Sequence, residues 1–189
     1  MKREGDMLES VLWRAHEIQA RVAELGQAIS EDFDGRPLVI LGVATGAFMF
    51  LADLVRNIAL PLQVDFVRVQ SYGNDTKTSG VATISTDCKI DLKDKHIIVV
   101  EDIIDTGITL AKLVQHLASK GAASVSVCVL LDKVSRRVVP LKLPGTGKCY
   151  VGFECPDYFV VGYGMDFAER FRSLPCIGVL KPEVYQQKV

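Results

Sequence analysis

This chain lacks several features that would fix its location or its partners. It has no excess of charge of either sign, because 22 Lys and Arg stand against 23 Asp and Glu for a formal net charge of -1. No net field is therefore available to hold a polyanion, which excludes a general nucleic-acid binder or a membrane-surface protein working through charge. No apolar run is long enough to cross a bilayer. The longest, Leu38 to Ala52, falls short of the ~18–20 residues that a transmembrane helix needs, and Gly42, Thr45 and Gly46 interrupt it. No secretory leader is expected, because the charged opening MKREGDMLES runs into no apolar segment, and PEVYQQKV matches no lipidation or retention signal. Paired cysteines are also absent. The five present (Cys88, Cys128, Cys149, Cys155 and Cys176) are odd in number and have no CxxC spacing, so they read as reduced thiols. A cytoplasmic location is the expectation.

What is present fits one globular domain. The chain has 189 residues, 49% hydrophobic and 24% charged, with no repeat, low-complexity stretch or linker. Apolar residues at Leu8, Val11, Leu12, Ala15, Ile18, Val22, Leu25 and Ile29 keep helical spacing and predict a helix from Met7 to Ile29. Leu38–Val43, His96–Val100 and Val125–Leu131 are continuous apolar runs of the kind found in strands buried on both faces. Helical stretches follow the first two, Phe48–Ile58 and the Leu110–Ala118 stripe, which stops at Lys120-Gly121. Val64–Val69 and Val81–Ser85 read as further strands around the polar SYGNDTKTSG. This alternation predicts an α/β fold, a mostly parallel twisted sheet flanked by helices, with ligands bound beyond the carboxyl ends of the strands. The core covers about 36–140, and the chain ends, about 1–35 and 145–189, form a small hood. Short strands at Tyr150–Phe153 and Phe159–Gly162 belong to a cap over the sheet edge.

The chemistry concentrates in Ile97–Thr109, IIVVEDIIDTGIT. A buried strand delivers Glu101 and Asp102, then Asp105, then Thr106-Gly107-Ile108-Thr109 opening a helix. Carboxylates at such a place are costly unless solvated, paired or used. Successive N–H groups from Asp105 to Thr109 at a helix N-terminus, with two hydroxyls and a glycine allowing close approach, suit a phosphate monoester. Glu101 and Asp102 then lie one sugar length away, placed to accept from ribose hydroxyls and to attract hydrated Mg²⁺. The competing reading is that Asp105 and Thr109 only cap the helix.

VVEDIIDTGIT closely resembles the phosphoribosyl-pyrophosphate (PRPP) motif of type I phosphoribosyltransferases, in the form found in the hypoxanthine-guanine enzymes. VDFVRVQSYG, LLDK and VGFECPDYFVVGYGMDFAERFR resemble other segments of that family, so the likeness covers most of the chain. It implies the type I fold with a hood, and these roles: Glu101 and Asp102 on the ribose hydroxyls directly or through Mg²⁺; Asp105–Thr109 on the 5'-phosphate; Asp105 exchanging a proton with purine N7. Lys133 would donate to the purine 6-oxo group, Phe159 would stack on the base, the Val160 backbone would read its 2-position, and Asp166 would serve the 2-position and a second Mg²⁺. Arg172 and the Ala44-Thr45-Gly46 turn would hold pyrophosphate, and Ser71-Tyr72 would lead a closing loop. The implied reaction is purine salvage, with PRPP and hypoxanthine or guanine as small-molecule substrates, IMP or GMP and pyrophosphate as products, and a homodimer or homotetramer as the assembly. Neither nucleic acid nor membrane is an expected partner.

The chain departs from the family pattern where Leu-Lys-Gly-Gly usually follows the first strand, since Ala44-Thr45-Gly46-Ala47 stands there and a lysine charge is lost. A cis bond at Ala44-Thr45 is expected. Ile108 replaces a common lysine, with little consequence for backbone donors. PGTGKC is not a Walker A loop, because Lys142 and Cys149 occupy its first and last required positions. His16, His96 and His116 have no metal spacing, and Arg136-Arg137 reads as a solvated pair. The alternatives kept open are xanthine as acceptor, and a non-catalytic regulator sensing PRPP or nucleotides, for which no basic segment is visible.

Overall fold

A computed structural model describes residues 3–72 and 81–186. Strands β2 (Leu38–Val43), β3 (Leu62–Tyr72), β4 (Val81–Thr86), β5 (His96–Ile104), β6 (Ser124–Asp132) and β7 (Cys149–Glu154) form one sheet in the order β4-β3-β2-β5-β6-β7. All neighbours are parallel except β4, which runs antiparallel to β3 at the edge.

Burial on both faces explains the unbroken apolar runs. Ile40, Ile98 and Leu130 point to one side, where helices α1 (Ala15–Asp32) and α2 (Phe48–Arg56) bring Ile18, Val22, Phe50 and Leu54. Val39, Leu41, Val99 and Val127 point to the other, under Leu110, Leu113 and Leu117 of α3 (Ile108–Ser119). Helix α3 ends as the sequence indicates, with Gly121 at φ +81°.

A second, antiparallel sheet of three strands joins the two ends of the chain: β1 (Leu8–Trp13), β9 (Ile177–Leu180) and β8 (Val160–Val161). Here the structure corrects the sequence reading. The predicted helix from Met7 begins only at Ala15, where the Glu17 carboxylate accepts from the Arg14 N–H at 2.8 Å. Leu8 to Trp13 instead pair with Leu180 to Ile177. Val11, counted in the apolar stripe, is 47% exposed; pairing with a strand distant in sequence overrode the local spacing. Helix α1 and strand β7 also lie with the main layers rather than in a hood or cap, so the hood is smaller than the sequence indicated. Strand β9 was not foreseen. No described helix is long and apolar enough to cross a membrane.

Candidate active site

Strands β2, β5 and β6 end side by side, and backbone contacts carry their alignment into the loops. The Ala44 N–H donates to Val67 O at 2.9 Å and the Lys133 N–H to Ile104 O at 3.0 Å. The loops after Val43, Ile104 and Asp132 thus meet above one edge of the sheet.

Between β5 and α3 the chain makes the turn Asp105-Thr106-Gly107. Gly107 sits at φ +81° as the N-cap and has no side chain to cap the helix, while the Ile108 N–H donates to Thr106 Oγ1 at 3.4 Å. Its donors face a cleft of about 280 Å³ lined by Ala44, Glu101, Asp105, Thr106, Gly107 and Thr109. The capping reading of Asp105 therefore fails: its carboxylate accepts from Arg136 Nε at 3.0 Å. Glycine is required at 107 twice over, for the positive φ and because a Cβ would stand 2.7 Å from Arg137 Cδ. Arg136 and Arg137 are thus not the solvated pair that the sequence indicated. Arg136 reaches Asp105 and, at 3.7 Å, Asp157, while Arg137 packs beneath the turn and pairs with Asp132.

A second lobe of about 250 Å³ is lined by Asp102, Ile103, Asp105, Lys133, Phe159, Val160 and Asp166. It shares Ile103 and Asp105 with the first. Lys133, only 12% exposed, extends from the end of β6 and lies 3.6 Å from Asp157. Phe159 precedes β8 and is 40% exposed, held edge-on by Phe167. Ile103 is a site residue that motif reading passed over, since an apolar residue in a strand reads as core.

Glu101 and Asp102 lie side by side near the end of β5, Glu101 lining the first lobe and Asp102 the second. Burial pushes Glu101 well above the ordinary carboxylate range, and the neighbouring Asp102 charge adds to the effect. Burial raises Asp102 as well, opposed by its bonds to Glu101 and to the Ile103 N–H and by Arg172. Such a desolvated acidic pair is poised for a cation or for hydroxyl donors. The Ala44–Thr45 bond is cis as expected, and a Cβ on Gly46 would overlap the Asp102 carboxylate. From the hood side, Gly164 approaches the Gly46 carbonyl so closely that a Cβ there would also collide. Arg172 donates to Gly164 O at 2.8 Å and pairs with Asp166 at 2.9 Å.

The oxygen-only donors Glu101, Asp102 and Asp166 suit a hard cation. No set of three metal-binding side chains converges among the described residues. That is compatible with Mg²⁺, which commonly takes one or two carboxylates and completes its shell with water and substrate phosphates. Ser71 and Tyr72 end β3; the rest of the expected closing loop, 73–80, lies outside the described residues. Two of the histidines make structural contacts, His96 Nδ1 meeting Ser124 Oγ at 2.7 Å and His116 pairing with Asp87, while His16 is exposed. All five cysteines are unpaired, and burial pushes the Cys128 thiol far up.

Fold and cleft together define an α/β protein whose helix-opening turn, acidic pair and second lobe adjoin through Ile103 and Asp105. The sequence profile of the phosphoribosyl transferase domain matches residues 12–168, and the chain belongs to that family. Among its relatives, the hypoxanthine-guanine phosphoribosyltransferase of Bacillus subtilis is 44% identical over 95% of this chain and 97% of its own. The enzyme of the same name from Mycobacterium avium is 42% identical over 97% and 90%. Among solved structures, a hypoxanthine phosphoribosyltransferase from Staphylococcus aureus superposes with a TM-score of 0.89 at 39% identity, covering 96% of each chain.

Proposed function

We propose that this enzyme transfers the 5-phosphoribosyl group from PRPP to N9 of hypoxanthine or guanine, with Mg²⁺, giving IMP or GMP and pyrophosphate. The observation that carries the reading is the pair of lobes joined at Asp105 and Ile103. One offers backbone donors to a phosphate and the other an ammonium and an aromatic face to a base, so the reacting sugar carbon falls between them.

In this reading the Asp105–Thr109 turn fixes the 5'-phosphate, while Glu101 and Asp102 accept from the ribose hydroxyls. Ile103 and Phe159 enclose the base. Lys133 donates to O6, which favours an oxo-purine, because the amino group of adenine is itself a donor and would leave both groups unpaired. The Val160 backbone and Asp166 read the 2-position. Asp105, oriented by Arg136, takes the N7 proton as N9 becomes a nucleophile. Bond breaking at C1' develops oxocarbenium character on the sugar and charge on the leaving pyrophosphate, which Arg172 and the Ala44-Thr45-Gly46 turn receive. Mg²⁺ held at Glu101 and Asp102, and at Asp166, would supply neutralisation of the diphosphate charge.

Turnover measured with PRPP and, separately, hypoxanthine, guanine, xanthine and adenine tests this. Product from the first two and none from adenine is expected; no nucleotide from any base would refute it.

A further inference from the structure

Among the described residues Phe159 is the one ring lining the base lobe, and its further environment is built by the C-terminal segment. Strand β9 holds its backbone: the Leu180 N–H donates to Phe159 O at 2.9 Å. The chain then turns at Lys181, Pro182 opens the short helix α4 (Pro182–Tyr185), and that helix returns Tyr185 to the same residue. The rings of Tyr185 and Phe159 lie with centroids 4.8 Å apart and planes 15° from parallel. One face of Phe159 is therefore covered by Tyr185, and Phe159 lines the lobe together with Ile103 and Lys133. Phe167 meets Phe159 edge-on at 5.6 Å and 88°. Tyr185 is itself anchored with Val184 against Val161, Phe171 and Leu180 in the hood's own apolar cluster.

A ring that receives a planar ligand on one face must resist tilting, and an offset-stacked neighbour on the opposite face supplies that restraint, with an edge-on ring fixing rotation in the plane. We propose that Tyr185 is a positioning residue for the purine site: backing Phe159 from behind, it sets the plane on which the base stacks and so selects for flat bicyclic bases without touching them. The inference rests on the reading of the second lobe as the purine site and adds a residue far along the chain from every motif that marks that site.

The prediction is a split between substrates. Tyr185→Leu keeps apolar bulk for the hood cluster but removes the stacked ring. It should raise KM for hypoxanthine about three- to ten-fold, leaving KM for PRPP and kcat within about twofold. Tyr185→Phe should restore the unaltered KM, because the ring and not the hydroxyl is the working part. An unchanged hypoxanthine KM in Tyr185→Leu overturns the proposal. So does a joint loss of kcat and of affinity for both substrates with a lowered Tm in Tyr185→Leu, which would mark Tyr185 as structural only. If the unaltered protein transfers to no purine at all, the reading of function falls first, and that outcome is distinct from the others.

Discussion

The two sheets that meet at the cleft are built in opposite ways. Every residue of β2 is buried, and β5 and β6 are buried along most of their length, so the main sheet presents its loops from a framework held on both faces. The hood's own core is a cluster of three buried residues, with Val160, Tyr163, Met165 and Ile177 buried against the main core instead, and its loop carries non-glycine residues in the left-handed region at Tyr163, Ala168, Glu169 and Phe171. Such conformations cost on the order of 1–3 kcal/mol each and persist where neighbours hold them. The contrast divides the labour. In the proposed reading, the groups for the 5'-phosphate and ribose are backbone donors and carboxylates at the edge of the main sheet, whereas Phe159, Val160 and Asp166 would meet the base from the hood. Lys133 and Ile103 are the exceptions, reaching the base lobe from the main sheet.

That division breaks most sharply at the shared residue. Asp105→Asn should fold normally, judged by circular dichroism, and lose about 10²–10⁴-fold in kcat, the usual worth of a positioned proton acceptor. Lys133→Ala should fold too but lose discrimination between oxo- and amino-purines, on the order of 1–3 kcal/mol or about 5–150-fold in the ratio of kcat/KM values. Unchanged turnover in both variants would remove the site assignment. Gly107→Ala tests the rigid side. It forces a side chain into the left-handed region, at about 1–2 kcal/mol, and against Arg137. The affinity for ribose 5-phosphate should drop about tenfold with KM for hypoxanthine little changed; the reverse pattern would show that the two lobes are not separately built.

What the sequence revealed follows the same boundary. Leu38–Val43 and Ile97–Thr109 were legible because a strand buried on both faces is written as a continuous apolar run and an anion turn as glycine and hydroxyls at a helix start. The hood was not, because β1 is defined by its partner β9 from the far end of the chain, and no local pattern encodes such a pairing. Arg136 and Arg137 escaped for a related reason. A basic pair in a loop reads as solvated until the fold places Asp105, Asp157 and Asp132 around it. Ile103 is apolar and Tyr185 works through its ring, so only the shape of the second lobe and the stack behind Phe159 make them visible.

A smaller effect is expected at the Ala44-Thr45-Gly46 turn. Thr45 is exposed where the family resemblance leads to the expectation of lysine, and Thr45→Lys should tighten pyrophosphate binding about two- to five-fold, the scale of one exposed ion pair. Isothermal titration with pyrophosphate and Mg²⁺ measures it; no change would mean that the backbone alone sets affinity there.

The smallest effect concerns acid stability and sharpens the contrast from the rigid side. Asp87, just after β4, joins His116 and Lys120 at the end of α3, and these contacts and the Cys88 N–H outweigh its partial burial to bring the carboxyl down to about 2 from 3.8. A carboxylate depressed in the folded state stabilises at pH above its unfolded value, so this contribution is complete above pH ~4 and is lost as pH falls toward ~2. Because the carboxylate is 37% exposed, solvent screens the interaction and the change is below what a shift of that size would give in a dry site. Asp87→Asn should lower the urea midpoint slightly at pH 6 and make no difference near pH 2. An equal offset at both pH values would show that the side chain's hydrogen bonds, and not its charge, tie α3 to the edge of the sheet.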